Sequence, residues 1–303
     1  MVNARLFVDP PSFTGSPYGL LSVADIRTPG DPHWQNGITW EDVCPVGGGT
    51  TFQTCAVSSP WASGTPASKA DNADRTWYGT SPFTVFSEID CSPPDFYDRA
   101  DQLAERSLSR VESYQVERAF WTGTAANVSN IVYPHLAATA AVTDGLVTLQ
   151  MAATQVTGVA LNVVDALGAL EGALAACYNG VGVIHVPQAL APVMAGLGLL
   201  LRDGMRYRTH NGNLVALGAG YPGTSPSGTA PTALTNSWMY ATGSIIVYRS
   251  APRLFSVNNA TFVRSVNTIK AIAERTYTIG FGCCLLAIPV STVSVIATSA
   301  STP

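Results

Sequence analysis

The sequence predicts an α+β protein in which one long helix stands between groups of strands. Residues 95–120 contain neither glycine nor proline and hold ten of the chain's 36 charged residues, which are 16 basic and 20 acidic. The rest of the chain consists mainly of short apolar runs separated by turns rich in glycine and proline. Strands and helices that are grouped rather than strictly alternating are typical of the α+β class.

The first 90 residues predict an extended arm followed by a long hairpin. Residues 1–37 are rich in proline, aspartate and glycine, which favours an extended segment without helix. Residues 38–44, 75–78 and 83–90 have strand composition and enclose a flexible Gly/Ser/Thr/Pro tract at 46–70. An isolated hairpin is marginally stable in water. We therefore expect the hairpin to lie on a partner surface, such as a neighbouring molecule.

Residues 95–120 predict an amphipathic rod. Its acidic residues lead at the N-terminal end, which the helix dipole favours, and its apolar residues fall on one stripe. At 1.5 Å per residue it would be about 38 Å long. Trp121 to Gly123 are expected to end it.

The second half predicts a compact mixed block. Residues 126–160 favour neither helix nor strand. The remaining predicted elements are a helix at 163–177, a turn at Asn179 and Gly180, a buried strand at 181–186, a helix from Pro187 to about Leu201, a hairpin around Asn211 and Gly212, strands at 238–241 and 244–248, and strand-rich stretches at 263–272 and 276–295.

The composition excludes several classes of protein. Hydrophobic residues make up 47% and charged residues only 12%, with a net charge of −4. Disorder needs the opposite balance, and a nucleic-acid binder needs a basic excess to neutralise phosphates. No stretch of 18 apolar residues lacks a charge or a proline, and the N-terminus has no apolar core of signal-peptide length, so we expect no membrane partner. So little charge suggests a subunit that covers part of its surface with other molecules.

The six cysteines are interpreted as reduced, buried thiols, because a chain of this size can be stable without a disulfide framework. A bridge between Cys44 and Cys55 is the open alternative. Cys283 and Cys284 are adjacent in a strand-like run, which predicts that their side chains point in opposite directions.

The sequence predicts no catalytic, cofactor or metal site, and hence no enzyme. The four histidines are far apart, and His185 lies in an apolar strand, which predicts a hydrogen-bonded core histidine. No nucleophile elbow, phosphate-binding loop or C-x-x-C motif is present. A Ser/His/Asp triad built from distant residues stays open.

The order of arm, hairpin, rod helix, mixed block and returning strand resembles the tailed-phage major capsid fold of the Hong Kong 97 type, which encapsulin shells share. Residues 83–90 followed by 116–123 look like the E-loop return and spine helix of actinobacteriophage capsid proteins. Residues 181–187 and 212–223 resemble the axial-domain core, and residues 273–277 with 283–288 resemble the returning strand of the peripheral domain.

The resemblance implies a division of the chain into five parts. These are an N-terminal arm at 1–37, an extended hairpin (E-loop) at 38–90, the spine helix and peripheral domain at 91–160, an axial domain at 161–250, and returning peripheral-domain strands and a tail at 251–303.

The implied function is that of a major capsid protein. Its copies would form the hexamers and pentamers of an icosahedral shell around double-stranded DNA, assembled in the host cytoplasm and found in the virion. Expected partners are the chain itself, a portal, a separate scaffold or decoration protein, and DNA through weak, nonspecific contact. Expected contacts between subunits are the hairpin aromatics and the helix charges, namely Trp40, Trp77, Tyr78, Phe83, Arg106, Arg110 and Glu117.

Some members of the family cross-link their shells through a lysine and an asparagine, helped by a carboxylate. The residues here in similar places are Lys69, Asn267 and Glu274. The interpretation we favour is that Lys69 is a solvated loop charge and Asn267 a turn or edge residue.

Two alternatives to a phage capsid stay open. One is an encapsulin-like nanocompartment shell with an enzyme cargo. The other is a secreted α+β hydrolase or binding module, which predicts a soluble monomer.

Overall fold

The computed structural model describes residues 11–44, 75–91, 100–125, 131–231, 237–255, 262–263 and 268–291. Within these ranges the helices are α1 (Leu20–Val23), α2 (Ala100–Thr122), α3 (Val163–Tyr178) and α4 (Ala191–Gly196), with 3₁₀ turns at Pro32–Asn36 and Gln188–Leu190.

The strands fall into three sheets. In chain order they are β1 (Asp25–Arg27), β2 (Ile38–Val43), β3 (Arg75–Thr80), β4 (Phe83–Cys91), β5 (Val142–Asp144), β6 (Val147–Gln150), β7 (Thr154–Gln155), β8 (Val183–Pro187), β9 (Leu201–Asp203), β10 (Arg206–Arg208), β11 (Leu214–Gly218), β12 (Ser237–Thr242), β13 (Ile245–Arg249), β14 (Arg253–Phe255), β15 (Phe262–Val263), β16 (Thr268–Phe281) and β17 (Leu285–Val290).

The 14-residue strand β16 organises the first sheet. It pairs with β13, β14 and β15 along one side and with β4 along the other, and β1 extends the sheet beyond β13. Helix α2 packs across β4 and β16, where Phe120 lies against Phe281, and its buried Trp121 lies against Tyr221 and Tyr240. The predicted end of the helix is confirmed, because Gly123 has a φ of +68° and a Cβ at this position would lie 2.6 Å from the ring of His135.

The second sheet has seven strands in the order β7-β17-β12-β8-β11-β10-β9. Helix α3 covers it and forms a separate apolar core with it. The predicted boundaries of α3 are confirmed by local signals, since the side chain of Asn162 caps its first turn and Asn179 takes the left-handed conformation after its last. The connection from β16 to β17 joins the two larger sheets.

The third sheet contains the hairpin and has the order β2-β3-β6-β5. Strands β2 and β3 pair from Ile38 with Thr80 to Val43 with Arg75, as expected for two arms of one hairpin. The prediction that residues 83–90 belong to this hairpin is wrong: β4 pairs with β16 over nine residues instead.

Three other predicted elements need correction. The arm contains α1 and a 3₁₀ turn, although no helix was expected there. Pro187 ends β8 rather than starting a helix, and α4 ends at Gly196 because Gly198, with a φ of +68°, turns the chain into β9. Residues 268–281 form one continuous strand instead of two stretches. Residues 95–99 of the predicted rod lie outside the described residues.

Candidate assembly surface

The hairpin aromatics are only in part available to a neighbour. Trp77 is 43% exposed on β3, and Trp40 is half-buried and stacks on Tyr78. Tyr78 and Phe83 are buried within the subunit, Phe83 against the rings of Tyr133 and Tyr277. The prediction that Tyr78 and Phe83 contact another subunit is therefore corrected: both side chains belong to this chain's own core.

The three helix charges also differ in their surroundings. Arg106 is half-buried and Arg110 is exposed, with its guanidinium 5.8 Å from the ring centroid of Phe13 in the arm. Glu117 is buried, so its predicted contact with a neighbour is corrected.

Glu117 fastens two distant backbone segments to helix α2. Its Oε1 accepts a hydrogen bond from the N–H of Leu20 at 3.0 Å, and its Oε2 accepts one from the N–H of Gly220 at 2.9 Å. Burial raises the pKa of this carboxyl above its usual value, because the charged form is desolvated. Nothing local in the sequence distinguishes Glu117 from its exposed neighbours, so its role could not be predicted.

A second carboxylate joins α2 to β16. Arg275 Nη1 lies 2.6 Å from Glu112 Oε1, and the hydroxyl of Tyr277 donates to the same oxygen. Burial also raises the pKa of Tyr277, which keeps the hydroxyl protonated as a donor. The partners are 163 and 165 residues apart in the sequence, which is why sequence patterns did not reveal them.

His185 is confirmed as a hydrogen-bonded core histidine. It is 0% exposed, with Nδ1 3.0 Å from the hydroxyl of Tyr221 and Nε2 3.1 Å from Oγ1 of Thr242. Burial lowers its pKa to about 3. The ring is therefore neutral at ordinary pH and supports the second sheet.

The interpretation of the cysteines as reduced thiols is wrong for four of the six. Cys44 is bonded to Cys283 and Cys177 to Cys284. The neighbours Cys283 and Cys284 do point apart, as predicted, but they lie in the turn after β16, where Cys283 has a φ of +64°. Each then meets a cysteine 239 or 107 residues away, a distance at which sequence spacing is uninformative. The alternative bridge from Cys44 to Cys55 is excluded by the partner of Cys44.

Strand β4 presents an open edge beside helix α2. Among the described strands it pairs only with β16, so its other edge is unpaired. A groove of about 680 Å³ runs between this edge and the helix, lined by Phe86 and Glu88 on one side and by Val111 and Arg118 on the other. Phe86 is 60% exposed. We call this feature the edge groove. Proteins usually protect such edges, because a free strand edge pairs readily with another chain.

A second exposed apolar surface lies at the end of the seven-stranded sheet, where β9 is the edge strand. Leu197 and Leu201 are exposed there, and Met205 at the β9–β10 turn is 73% exposed. Arg202 and Arg206 flank them, and Asp203 is paired with Arg208 across the turn. We call this apolar and basic end the sheet tip. Exposed apolar clusters with polar rims are typical of protein contact sites.

The expected cross-linking residues are not brought together by the described part of the chain. Lys69 and Asn267 lie outside the described residues. Glu274 is half-buried in the middle of β16, level with Phe86 on β4 and Arg253 on β14.

Two further kinds of feature are absent from the described residues. No group of three or more His, Cys, Asp or Glu side chains in the described ranges is placed to hold a metal ion. Within the same ranges, no helix combines the length and the apolar character that a membrane crossing requires.

Comparison with known proteins identifies the fold. No protein-family model matches the sequence, and no curated protein matches it. Among solved structures, the chain is similar to the capsid of a native GTA particle, with a TM-score of 0.56 and 14% identity over 96% of this chain and 95% of that one. The capsid of the empty GTA particle gives 0.56 and 13% over 95% of each chain. A Mycobacterium phage Bobi structure gives 0.49 and 12% over 95% of each.

The chain has the capsid fold of the Hong Kong 97 type. The two GTA matches extend over nearly the whole of both chains, so the predicted α+β fold class is confirmed. At 13–14% identity, this similarity establishes the architecture of the chain.

Proposed function

We propose that this chain is a major capsid protein, whose copies assemble into the hexamers and pentamers of an icosahedral shell around double-stranded DNA. The observation that carries the proposal is the nearly full-length similarity to the capsid subunit of the GTA particle. The proposed role is structural, without catalysis, and the proposed location is the virion.

The surface of the subunit supports self-assembly. Two open strand edges, at β4 and β9, lie beside exposed apolar side chains. A monomer that left both surfaces in water would carry two sites for edge-to-edge association. A second copy that covers the edge groove or the sheet tip would bury these side chains. We assign Phe86 and Met205 to such contacts, and the exposed Trp77 to a contact of the hairpin.

The proposed parts of the subunit follow the fold. The arm before β2 and the β2–β3 hairpin reach towards neighbours, α2 with the β16 sheet forms the peripheral domain, and the seven-stranded sheet with α3 forms the axial domain. The net charge of −4 supports weak, nonspecific contact with DNA rather than condensation of DNA by attraction. A portal and separate scaffold or decoration proteins are proposed partners.

Expression of the chain followed by negative-stain electron microscopy tests the proposal. Shells of phage size support a phage capsid, and smaller shells that enclose an enzyme support the encapsulin alternative. A soluble monomer that forms no particles under any assembly condition would contradict both and leave the hydrolase or binding module.

A pair of variants tests the edge groove. Phe86→Asp places a charge in the groove at an exposed position, so we expect a folded subunit that no longer forms shells. Val159→Asp is the matched control, because Val159 is also exposed but lies in the loop after β7. Shells formed equally by both variants would show that the groove is not a contact.

Boiled particles on a denaturing gel test the cross-link: we expect one band near 31.7 kDa, and a ladder would implicate Lys69, Asn267 and Glu274.

A further inference from the structure

The two disulfide bonds connect different parts of the subunit through one turn. Cys283 and Cys284 lie between β16 and β17. Cys283 is bonded to Cys44, directly after β2, and Cys284 is bonded to Cys177 in the last turn of α3. The first bond therefore fastens the hairpin to the end of β16, and the second fastens α3 to the same turn.

The two bonds differ in their exposure to solvent. Cys44 and Cys283 are both half-buried. In the other bond Cys177 is half-buried but Cys284 is only 1% exposed. Because thiol–disulfide exchange requires a thiolate to reach a sulfur atom, the Cys44–Cys283 bond is the more open to a solvent thiol.

The hairpin is held against β16 by a series of contacts that ends at this bond. At the base, Oγ1 of Thr80 donates to the carbonyl oxygen of Ile279 at 2.9 Å. In the middle, the rings of Trp40 and Tyr78 lie against Gly280 and Gly282, where an added Cβ would meet them. Beyond these, the hydroxyl of Tyr78 accepts a hydrogen bond from the backbone N–H of Cys283. Among the described residues, the far end of β2 is held by its pairing with β3 and by the covalent bond of Cys44. With the bond open, the hairpin is still held by Thr80, by the rings of Trp40 and Tyr78 and by the pairing of β3 with β6, and the far end of β2 is attached through its pairing with β3.

We propose that the thiols of Cys44 and Cys283 form an oxidation-controlled lock on the hairpin. In the reduced subunit the far end of β2 separates from the turn after β16, and oxidation fixes it. A small-molecule disulfide such as oxidised glutathione supplies the oxidising equivalents. One cysteine thiolate attacks it to form a mixed disulfide and expels the first small thiol, and the second cysteine then displaces the other. The two protons of the cysteines are carried away on the two small thiols.

If the chain is a capsid protein, as proposed above, the lock closes after assembly. The cytosol keeps thiols reduced, so the Cys44–Cys283 bond stays open and the far end of β2 stays separate from the turn after β16 while subunits assemble. The bond closes once the particle leaves the cell. The lock itself is a property of the single subunit.

Hydrogen exchange of the purified full-length chain tests the lock. The chain is prepared reduced with dithiothreitol and oxidised with oxidised glutathione, free thiols are trapped with iodoacetamide, and the trapped cysteines are identified by mass spectrometry. We expect Cys44 and Cys283 to be trapped in the reduced sample only. We expect the amides of 38–43 and 75–80 to exchange about tenfold more slowly after oxidation.

Three variants separate the lock from a general effect of oxidation. Cys44→Ser and Cys283→Ser remove the bond from opposite ends, so both are expected to exchange like the reduced wild type under both conditions. Cys177→Ser removes the other bond and is expected to keep the redox response of the hairpin. Equal exchange of residues 38–43 in the two wild-type samples would overturn the proposal, as would a redox response that persists in Cys44→Ser and Cys283→Ser.

Electron microscopy of the same samples keeps the two proposals apart. Particles without a redox response of the hairpin would refute the lock and leave the capsid function in place. A redox response in a chain that forms no particles would refute the capsid function and leave the lock in place.

Discussion

Protonation of His185 is expected to weaken the fold in mild acid by an amount that the structure specifies. The ring of His185 is fully buried, and burial lowers its pKa to about 3 from its ordinary value of 6.5. The imidazole of His185 therefore binds a proton near pH 6.5 in the unfolded chain but only near pH 3 in the folded chain. Stability from the neutral ring is complete above pH 6.5 and is lost as the pH falls below that value. Between pH 7 and pH 5 the expected loss is about 2 kcal/mol, since each pH unit below 6.5 costs about 1.4 kcal/mol.

Urea unfolding at pH 7, 6 and 5 measures this loss. The fluorescence of the buried Trp34 and Trp121 follows the unfolding. His185→Gln is neutral at every pH, so the free energy of unfolding of the wild type should fall by about 2 kcal/mol relative to this variant between pH 7 and 5. Other titrating groups cancel in the difference. His185→Phe is a second neutral variant and should give the same relative slope, whatever its stability. Parallel pH curves for the wild type and both variants would refute the reasoning.

Three further predictions concern the free energy of unfolding, measured in urea. Glu117→Ala leaves the N–H groups of Leu20 and Gly220 buried without an acceptor and should cost about 4 kcal/mol. Burial raises the pKa of the Glu117 carboxyl, so its contribution to the free energy of unfolding is greatest below about pH 4.5 and is lost as the pH rises through the raised pKa. The loss of free energy in Glu117→Ala should therefore be larger in acid, and a loss that does not depend on pH would contradict this. Gly220→Ala should cost about 3 kcal/mol, because its Cβ would collide with the carbonyl oxygen of Tyr114. The control Gly172→Ala in α3 has open space around its Cβ and should be neutral or stabilising. Equal effects of the two variants would contradict the packing around Gly220. Trp121→Ala should cost about 4 kcal/mol through its cavity and the lost hydrogen bond from Nε1, and a loss under 1 kcal/mol would show that the site collapses around it.

The elements that could be predicted from the sequence are those with local determinants. Helix α3 follows from apolar spacing, an asparagine cap and a left-handed Asn179, all within 18 residues. The end of α2 at Gly123 and the turn at Asn211 and Gly212 follow from residues at the boundary itself. In each case the interaction that decides the structure lies within a few residues of the pattern that predicts it.

Features that depend on contacts across the chain could not be predicted in this way. Strand β4 has a pattern that fits either a hairpin arm or a sheet strand, and only its pairing with β16, 178 to 194 residues later, decides between them. Glu117 looks like another solvated charge of an amphipathic helix until the arm and residue 220 meet at its side chain. The same holds for the disulfides, because a cysteine's oxidation depends on which other cysteine the fold places beside it.

The low charge of the chain acquires a more specific meaning from these contacts. Part of the charge on α2 serves the interior of the subunit, since Glu117 holds two backbone segments and Glu112 pairs with Arg275 on β16. These carboxylates therefore contribute little to the solubility of the surface. Meanwhile Phe86, Trp77 and Met205 stand exposed near open strand edges or on the hairpin. This arrangement, with charges paired inside and apolar side chains exposed outside, is expected of a subunit whose apolar surface is covered by its neighbours after assembly.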